Sequence, residues 1–309
     1  MPSVPIQTYE QIGIKEDISD IISNISPTKT PFSSMIGSET ITNTLFQWQE
    51  DSLQAVSAQA AVEGAAAPTA TWQATVMRNN RTQIFTATAS ASGTADVVEK
   101  YGRAQELAYQ LSMRASELKR NLEYAYVGGN TTLVTGNDTT ARQMNGYQAQ
   151  VDSTNTDTLG TAAVLTEAMV LLVAQDCYIN GADPDTLMIK PVDGTKVAQW
   201  QYNAAAGNRT KFVDNSDKKI VNVVDIYESP YGSLKVVMNR FIRGANSGDS
   251  TSDAFVFEAA MWKKCILRNW FRQTLAKTGD STQVQILGEF SLKHKNKKAS
   301  GIISNLLLT

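Results

Sequence analysis

Two stretches of period-two alternation dominate the first third of the chain. Phe46-Gln47-Trp48 alternates apolar and polar residues, and Ile84-Phe85-Thr86-Ala87-Thr88-Ala89-Ser90-Ala91 does so again. Strict alternation marks a half-buried strand. Between the two lie the small residues 58–68, rich in alanine and closed by Pro68. The pattern predicts an extended β-hairpin over 41–93. With about 17 residues a side at ~3.3 Å each, it reaches roughly 55 Å. A compact chain of 309 residues has a radius of gyration of only ~19 Å. A lone two-stranded ribbon is marginal in water, so something outside the subunit is expected to complete this arm.

The period then changes. Asp96-Val97-Val98-Glu99 reads as a capping box. Ala104, Leu107, Ala108, Leu111, Ala115, Leu118, Leu122 and Ala125 follow at spacings of three and four. They predict one spine helix of about 28 residues, ~42 Å long, ending at Gly128-Gly129-Asn130. Arg103, Glu106, Gln110, Glu117, Lys119, Arg120 and Glu123 fall on its polar side. Residues 130–160 are rich in Thr, Asn, Asp and Gly and read as a loop or irregular β region. Thr166-Glu167 opens a second helix that closes at Asn180-Gly181, and 191–202 reads as a short third one. Strands are expected at 187–189, 220–227, 234–238, 254–258, 283–292 and 302–308, with Ser229-Pro230-Tyr231-Gly232 as a turn. Residues 1–40 form a polar arm with Ile12, Ile14, Ile18, Ile21, Ile22 and Ile25 as anchors, stopped by Ser26-Pro27 and Thr30-Pro31. No internal repeat is present. The fold class is α+β, with one long helix and antiparallel sheets.

Composition narrows the function. Hydrophobic residues make up 42% of the chain, ample for a core, and charged residues 19%, below the ~25% of an average soluble domain. Such a surface suits a protein that hides part of itself against copies. The formal charge is −2 and the pI about 5.6, which argues against condensing nucleic acid unaided. Residues 1–77 hold eight acids and two bases, and residues 255–309 hold nine bases and three acids. This asymmetry suits head-to-tail contact between neighbours, or simply two solvated surfaces. Two cysteines, Cys177 and Cys265, make no disulfide framework. Neither a signal peptide nor an apolar run long enough to span a membrane is read in the chain.

Catalytic chemistry has little to stand on. The one histidine, His294, follows Phe290 and Leu292 at period two, so it is expected on their packed face. Neither cysteine sits in a metal-binding spacing, and both read as small apolar fillers. There is no phosphate-binding glycine loop, and the pairs Glu16-Asp17 and Glu50-Asp51 read as solvated charge. Trp262, Lys263, Lys264, Arg268, Trp270, Phe271 and Arg272 interleave aromatic and basic residues, which can stack on bases and neutralise phosphate. Alternation along a strand, with aromatics inside and lysines outside, is the commoner cause, and Lys293, Lys295, Lys297 and Lys298 read alike. No catalytic, cofactor or metal site is assigned.

The order of arm, long hairpin, spine helix and mixed lobe resembles the Hong Kong 97-type capsid fold of tailed phages. The segment 227–240, beginning Tyr227-Glu228-Ser229-Pro230-Tyr231-Gly232, resembles a hairpin of the tailed-phage major head proteins. So do Leu275-Ala276-Lys277-Thr278-Gly279-Asp280-Ser281, Gly288-Glu289-Phe290-Ser291-Leu292 and Asn296-Lys297-Lys298-Ala299-Ser300-Gly301-Ile302-Ile303. Pro230 stands where that family more usually has an acid.

The resemblance implies an N-terminal arm (1–40), an extended loop (41–93), and the spine helix with the first part of a peripheral domain (94–160). It further implies an axial domain (161–250) and C-terminal strands (251–309) that complete the peripheral domain, with a return to the axial domain as an option. It implies a structural protein and no enzyme, forming hexamers and pentamers of an icosahedral or elongated head shell. Its partners would be its own copies, a separate scaffolding protein, a portal, decoration proteins, and packaged double-stranded DNA held weakly and without specificity. Assembly would take place in the host cytoplasm, with no membrane involved. An encapsulin-type cellular shell is the alternative of the same fold. Some relatives cross-link a lysine of the extended loop, whereas residues 30–77 here hold neither Lys nor Arg, so no such bond is expected from the tip. Phe46, Trp48, Trp72 and Phe85 are the expected inter-subunit contacts.

Overall fold

The computed structural model describes residues 26–102, 104–200, 224–244, 249–277 and 279–308. The N-terminal isoleucines, Arg103 and the expected strand residues 220–223 lie outside them. In chain order the elements are α1 (Pro31–Met35), β1 (Gly37–Thr40), β2 (Leu45–Glu50), β3 (Val76–Arg81), β4 (Gln83–Ser92), α2 (Gly93–Val97) and α3 (Glu106–Tyr124). Next come β5 (Thr156–Ala163), α4 (Glu167–Ile179), β6 (Thr186–Ile189) and α5 (Pro191–Trp200). The last are β7 (Ile226–Ser229), β8 (Gly232–Met238), β9 (Ser252–Phe257), β10 (Trp262–Thr274), β11 (Ser281–His294) and β12 (Ser300–Leu306). They form a four-stranded sheet, β1-β10-β11-β4, a six-stranded sheet, β5-β12-β9-β6-β8-β7, and the ribbon β2-β3.

Each sheet buries one face under helices. Leu118 and Leu122 of α3 cluster with Phe85, Ile286, Phe290 and Leu292 of the four-stranded sheet. Val170, Val173, Ala174 and Cys177 of α4 and Val197 of α5 cluster with Leu187, Ile189, Val256 and Ile303 of the other sheet. α4 reads as apolar nearly all round because one side is buried and Leu172 and Ile179 on the other stay exposed.

The chain passes between the sheets from β4 to β5 by way of α3, and twice more, directly, at one place. β9 leads through a single 3-10 turn into β10, and β11 returns to β12. Trp262 and His294 are register partners there, and the Lys295 amide donates to the Met261 carbonyl at 2.9 Å. Four rings stack through this crossing: Phe255 on Tyr147 (4.2 Å), Tyr147 on Trp262 (4.5 Å) and Trp262 on His294 (3.9 Å). Phe32 of α1 enters edge-on, 6.0 Å from Tyr147 and 5.8 Å from Trp262, and is fully buried. Stacked and edge-on pairs add about 0.5–1.5 kcal/mol each beyond burial. The short arm helix is therefore a plug in the core that joins the sheets.

Several expectations change. The hairpin is paired over six residues a side only, Leu45 with Arg81 through Glu50 with Val76. β4, the predicted return side, leaves the ribbon and pairs antiparallel with β11. The spine helix has 19 residues, so about 28 Å, because Gly102 takes φ +76° and breaks it from α2. Ser92 caps α2, and Asp96, inside α2, accepts from the Leu107 amide at the start of α3. Glu123 is fully buried instead of solvated. The Thr- and Gly-rich segment supplies β5, and β1–β10, β5–β12 and β6–β8 are parallel.

After α3 a single π-helical turn, Ala125–Gly129, carries Gly128 against the loop after β8. A Cβ on Gly128 would lie 2.2 Å from the Phe241 carbonyl oxygen, a backbone atom with little room to move. Gly128→Ala is expected to destabilise the subunit by about 1–3 kcal/mol, read as a lower urea midpoint. Gly160→Ala, whose Cβ meets nothing within 4 Å, is the matched control and should leave the midpoint close to wild type.

Candidate functional site: the ribbon, its anchors and the exposed arm

The ribbon is tied down at its base. Phe46, Trp48 and Glu50 share one face of β2, and Asn80 and Arg78 oppose Phe46 and Trp48 on β3. Asn80 is fully buried and donates to the carbonyls of Leu292 (2.6 Å) and Asn145 (3.1 Å) while accepting from the Asn145 amide. Glu50 takes Arg78 at 2.9 Å and the backbone amide of Lys297 at 3.0 Å. Phe46 stacks on Trp48 at 5.6 Å, and Lys293 lies 6.0 Å over the Trp48 ring. Beneath them lies a cleft of about 460 Å³ that Trp48, Arg78, Asn145, Asp152, His294 and Lys297 help to line.

These contacts spend much of the charge asymmetry inside the subunit. Lys293 pairs with Glu39 at 3.0 Å, and Lys297 pairs with Asp152. Glu289, nearly buried, receives Arg142, Arg268 and the Thr82 hydroxyl (2.6 Å) just below the ribbon. Among these pairs Lys293–Glu39 joins the acidic front to the basic tail, and of the described acids before residue 78 Asp51 and Glu63 lie on the exposed arm.

Beyond the ribbon, residues 51–75 are exposed throughout and hold no strand pairing. Their two sides stay in register through side chains: Gln73 donates to Ser52 and Gln54 to Thr71, each at 3.0 Å. The turn comes at Gly64, with φ +77°. Leu53 is 96% exposed, Val62 81% and Trp72 83%. The segment therefore presents several large apolar side chains to solvent.

Of the expected contact residues, Trp72 lies on the exposed arm. Phe46 and Trp48 are half-buried against their own subunit, within the ribbon base. Phe85 is a correction: it is 7% exposed and packs on Trp270 (6.4 Å) and Phe290 (6.4 Å) in the core. Leu53 and Val56, outside the expected set, are also exposed on the arm.

No reactive constellation appears among the described residues. Burial pushes both free thiols up to about 12. His294 is 1% exposed. Its Nε2 lies 3.0 Å from the Ser300 hydroxyl and its Nδ1 3.2 Å from the Gln150 carbonyl. Burial drives its pKa down to about 3, so the ring is held neutral. No group of three or more candidate metal ligands and no membrane-spanning helix occurs among the described residues.

Two sheets joined at one crossing, a spine helix and a projecting ribbon define a capsid subunit of the Hong Kong 97 type. Solved structures share the fold. A capsid of a native GTA particle matches with a TM-score of 0.64 at 11% identity, covering 98% of this chain and 99% of that one. The holo-SrpI encapsulin complex from Synechococcus elongatus PCC 7942 matches at 0.59 and 7% identity, with 93% of each chain covered. The chain belongs to the SU10 major capsid protein family, whose model matches residues 5–307. It is 31% identical to the major capsid protein of Escherichia phage Phieco32, over 96% of this chain and 95% of that protein. It is thus a major capsid protein of a tailed phage, a structural component of the virion shell.

The His294 site carries a pH prediction. A histidine depressed from 6.5 to about 3 takes up its proton in the unfolded chain first. Its contribution to stability is complete above pH 6.5 and is lost as pH falls toward 3, at up to about 1.4 kcal/mol per unit. Urea melts of the unassembled subunit should show His294→Gln with a shallower loss between pH 6 and 4. A slope equal to wild type would contradict this.

Proposed function

We propose that the subunit builds a shell of hexamers and pentamers in which the arm of each copy lies across the next. The observation that carries this is the exposed, cation-free arm of residues 51–75, matched by a bare sheet face on the same molecule. α3 covers one side of the four-stranded sheet. The other side carries the rows Ile84-Glu289-Arg268 and Thr86-Leu287-Phe271. Ile84 is 46% and Phe271 42% exposed, and the subunit's own ribbon covers the end of this face at Lys293. A neighbour's arm would continue that cover, with its acids near Arg268. Such a contact uses two different surfaces, as ring closure requires. The subunit acts by assembly and not by catalysis.

Further parts of the reading follow from the chain itself. With no Lys or Arg over 30–77, the arm holds by packing and not by a lysine bond. A separate scaffolding protein sets the shell size. Packaged DNA is held weakly, because Lys293 and Lys297 are already paired. Portal and decoration proteins complete the particle, and assembly takes place in the host cytoplasm.

Deleting 58–70 should leave a folded subunit with an unchanged urea midpoint, since those residues bury nothing, and should lower the yield of shells at least tenfold. Electron micrographs and sedimentation of co-expressed subunit and scaffold read this directly, and normal shells would refute the assignment. Denaturing gels of wild-type shells should show no covalent ladder mapping to 41–77.

A further inference from the structure

The buried carboxylate of Glu123 joins three segments distant in the chain. It sits in the last turn of α3. Its Oε1 accepts from the Phe32 amide at 2.7 Å and from the Asn239 side-chain amide at 2.8 Å, and its Oε2 accepts from the Ser33 amide at 2.9 Å. Burial raises its pKa while these donors oppose that shift. Asn239 is also fully buried. Its own amide donates to the Ile189 carbonyl at 2.8 Å, and its Oδ1 accepts from the Phe241 amide at 2.9 Å. Two residues on, Arg243 forms a two-point pair with Asp253 of β9 at 2.9 and 2.7 Å.

We propose that Glu123 couples the seating of the arm helix α1 to the conformation of the loop 239–244 beside the six-stranded sheet. The physical basis is shared demand on one buried anion. Withdrawing α1 removes two of its three donors and opens the aromatic core that Phe32 fills. The carboxylate is then left with Asn239 alone in a dry site, an expensive state for a charge. The group relaxes by drawing in water or by turning away, and either movement disturbs Asn239, then Phe241 and Arg243. Coupling of this kind is reciprocal, so a change at Asn239 must loosen α1. The subunit thereby carries an internal line from its N-terminal arm to its other lobe, independent of where the exposed arm docks.

Amide hydrogen exchange on the full chain tests this. Asn239→Ala should speed exchange at Phe32 and Ser33 at least tenfold, and Phe32→Ala should do the same for 239–244. Amides of β11 around 284–288 serve as the reference for global opening and should change far less. The isosteric Glu123→Gln should loosen both segments, and adding Asn239→Ala to it should have no further effect at α1. Should Asn239→Ala not fold, Glu123→Gln combined with Phe32→Ala gives the same cycle read at 239–244. Unchanged α1 exchange in Asn239→Ala, or effects that simply add in either cycle, would overturn the coupling.

Discussion

The fold depends on how the chain closes the crossing between its two sheets. The two direct passages, β9 to β10 and β11 to β12, occur at the Trp262–His294 pair. Any polar gap there would expose strand ends of both sheets. The column of Phe255, Tyr147, Trp262 and His294 fills it, and the Trp262 indole and His294 imidazole share the Ser300 hydroxyl at 2.9 and 3.0 Å. The imidazole is held neutral there because its burial disfavours the charged form. With both sheets held to one joint, the ribbon that leaves beside it starts from a rigid base.

That base explains why the molecule carries so much buried ionic structure for a shell component. Glu289 with Arg142 and Arg268, Glu50 with Arg78, and Lys297 with Asp152 all lie around the ribbon root. Buried pairs are weak sources of stability, but removal of one partner is costly. Their use here is directional, since they allow the ribbon few orientations. Root and arm together make a lever whose far part, residues 51–75, is exposed.

Much of the framework was legible in the sequence. The apolar runs 283–292 and 302–308 mark β11 and β12. Thr166 and Asn180-Gly181 marked both ends of α4, and Ser229 to Gly232 marked the turn between β7 and β8. Period two at Ile84 to Ala91 identified β4 but not its partner, because pairing depends on register with β11, some two hundred residues away. The break at Gly102 was hidden by apolar spacing that continues across it. The buried Glu123 looked like a surface residue because its donors come from Phe32, Ser33 and Asn239, none near it in sequence. Phe85 was read as an outward contact since alternation gives a strand two faces and does not say which one the helix covers. The sequence suggests a hairpin paired along its whole length, whereas the small residues around its tip leave 51–75 without strand pairing.

The central claim is that the exposed arm is completed by a neighbouring copy. A density map of the assembled shell by electron cryomicroscopy tests it most directly. Residues 51–75 should be ordered across the adjacent subunit, with Trp72 or Leu53 against the face that carries Ile84, Leu287 and Phe271. An arm that projects freely from the shell, or folds back on its own subunit, would contradict it.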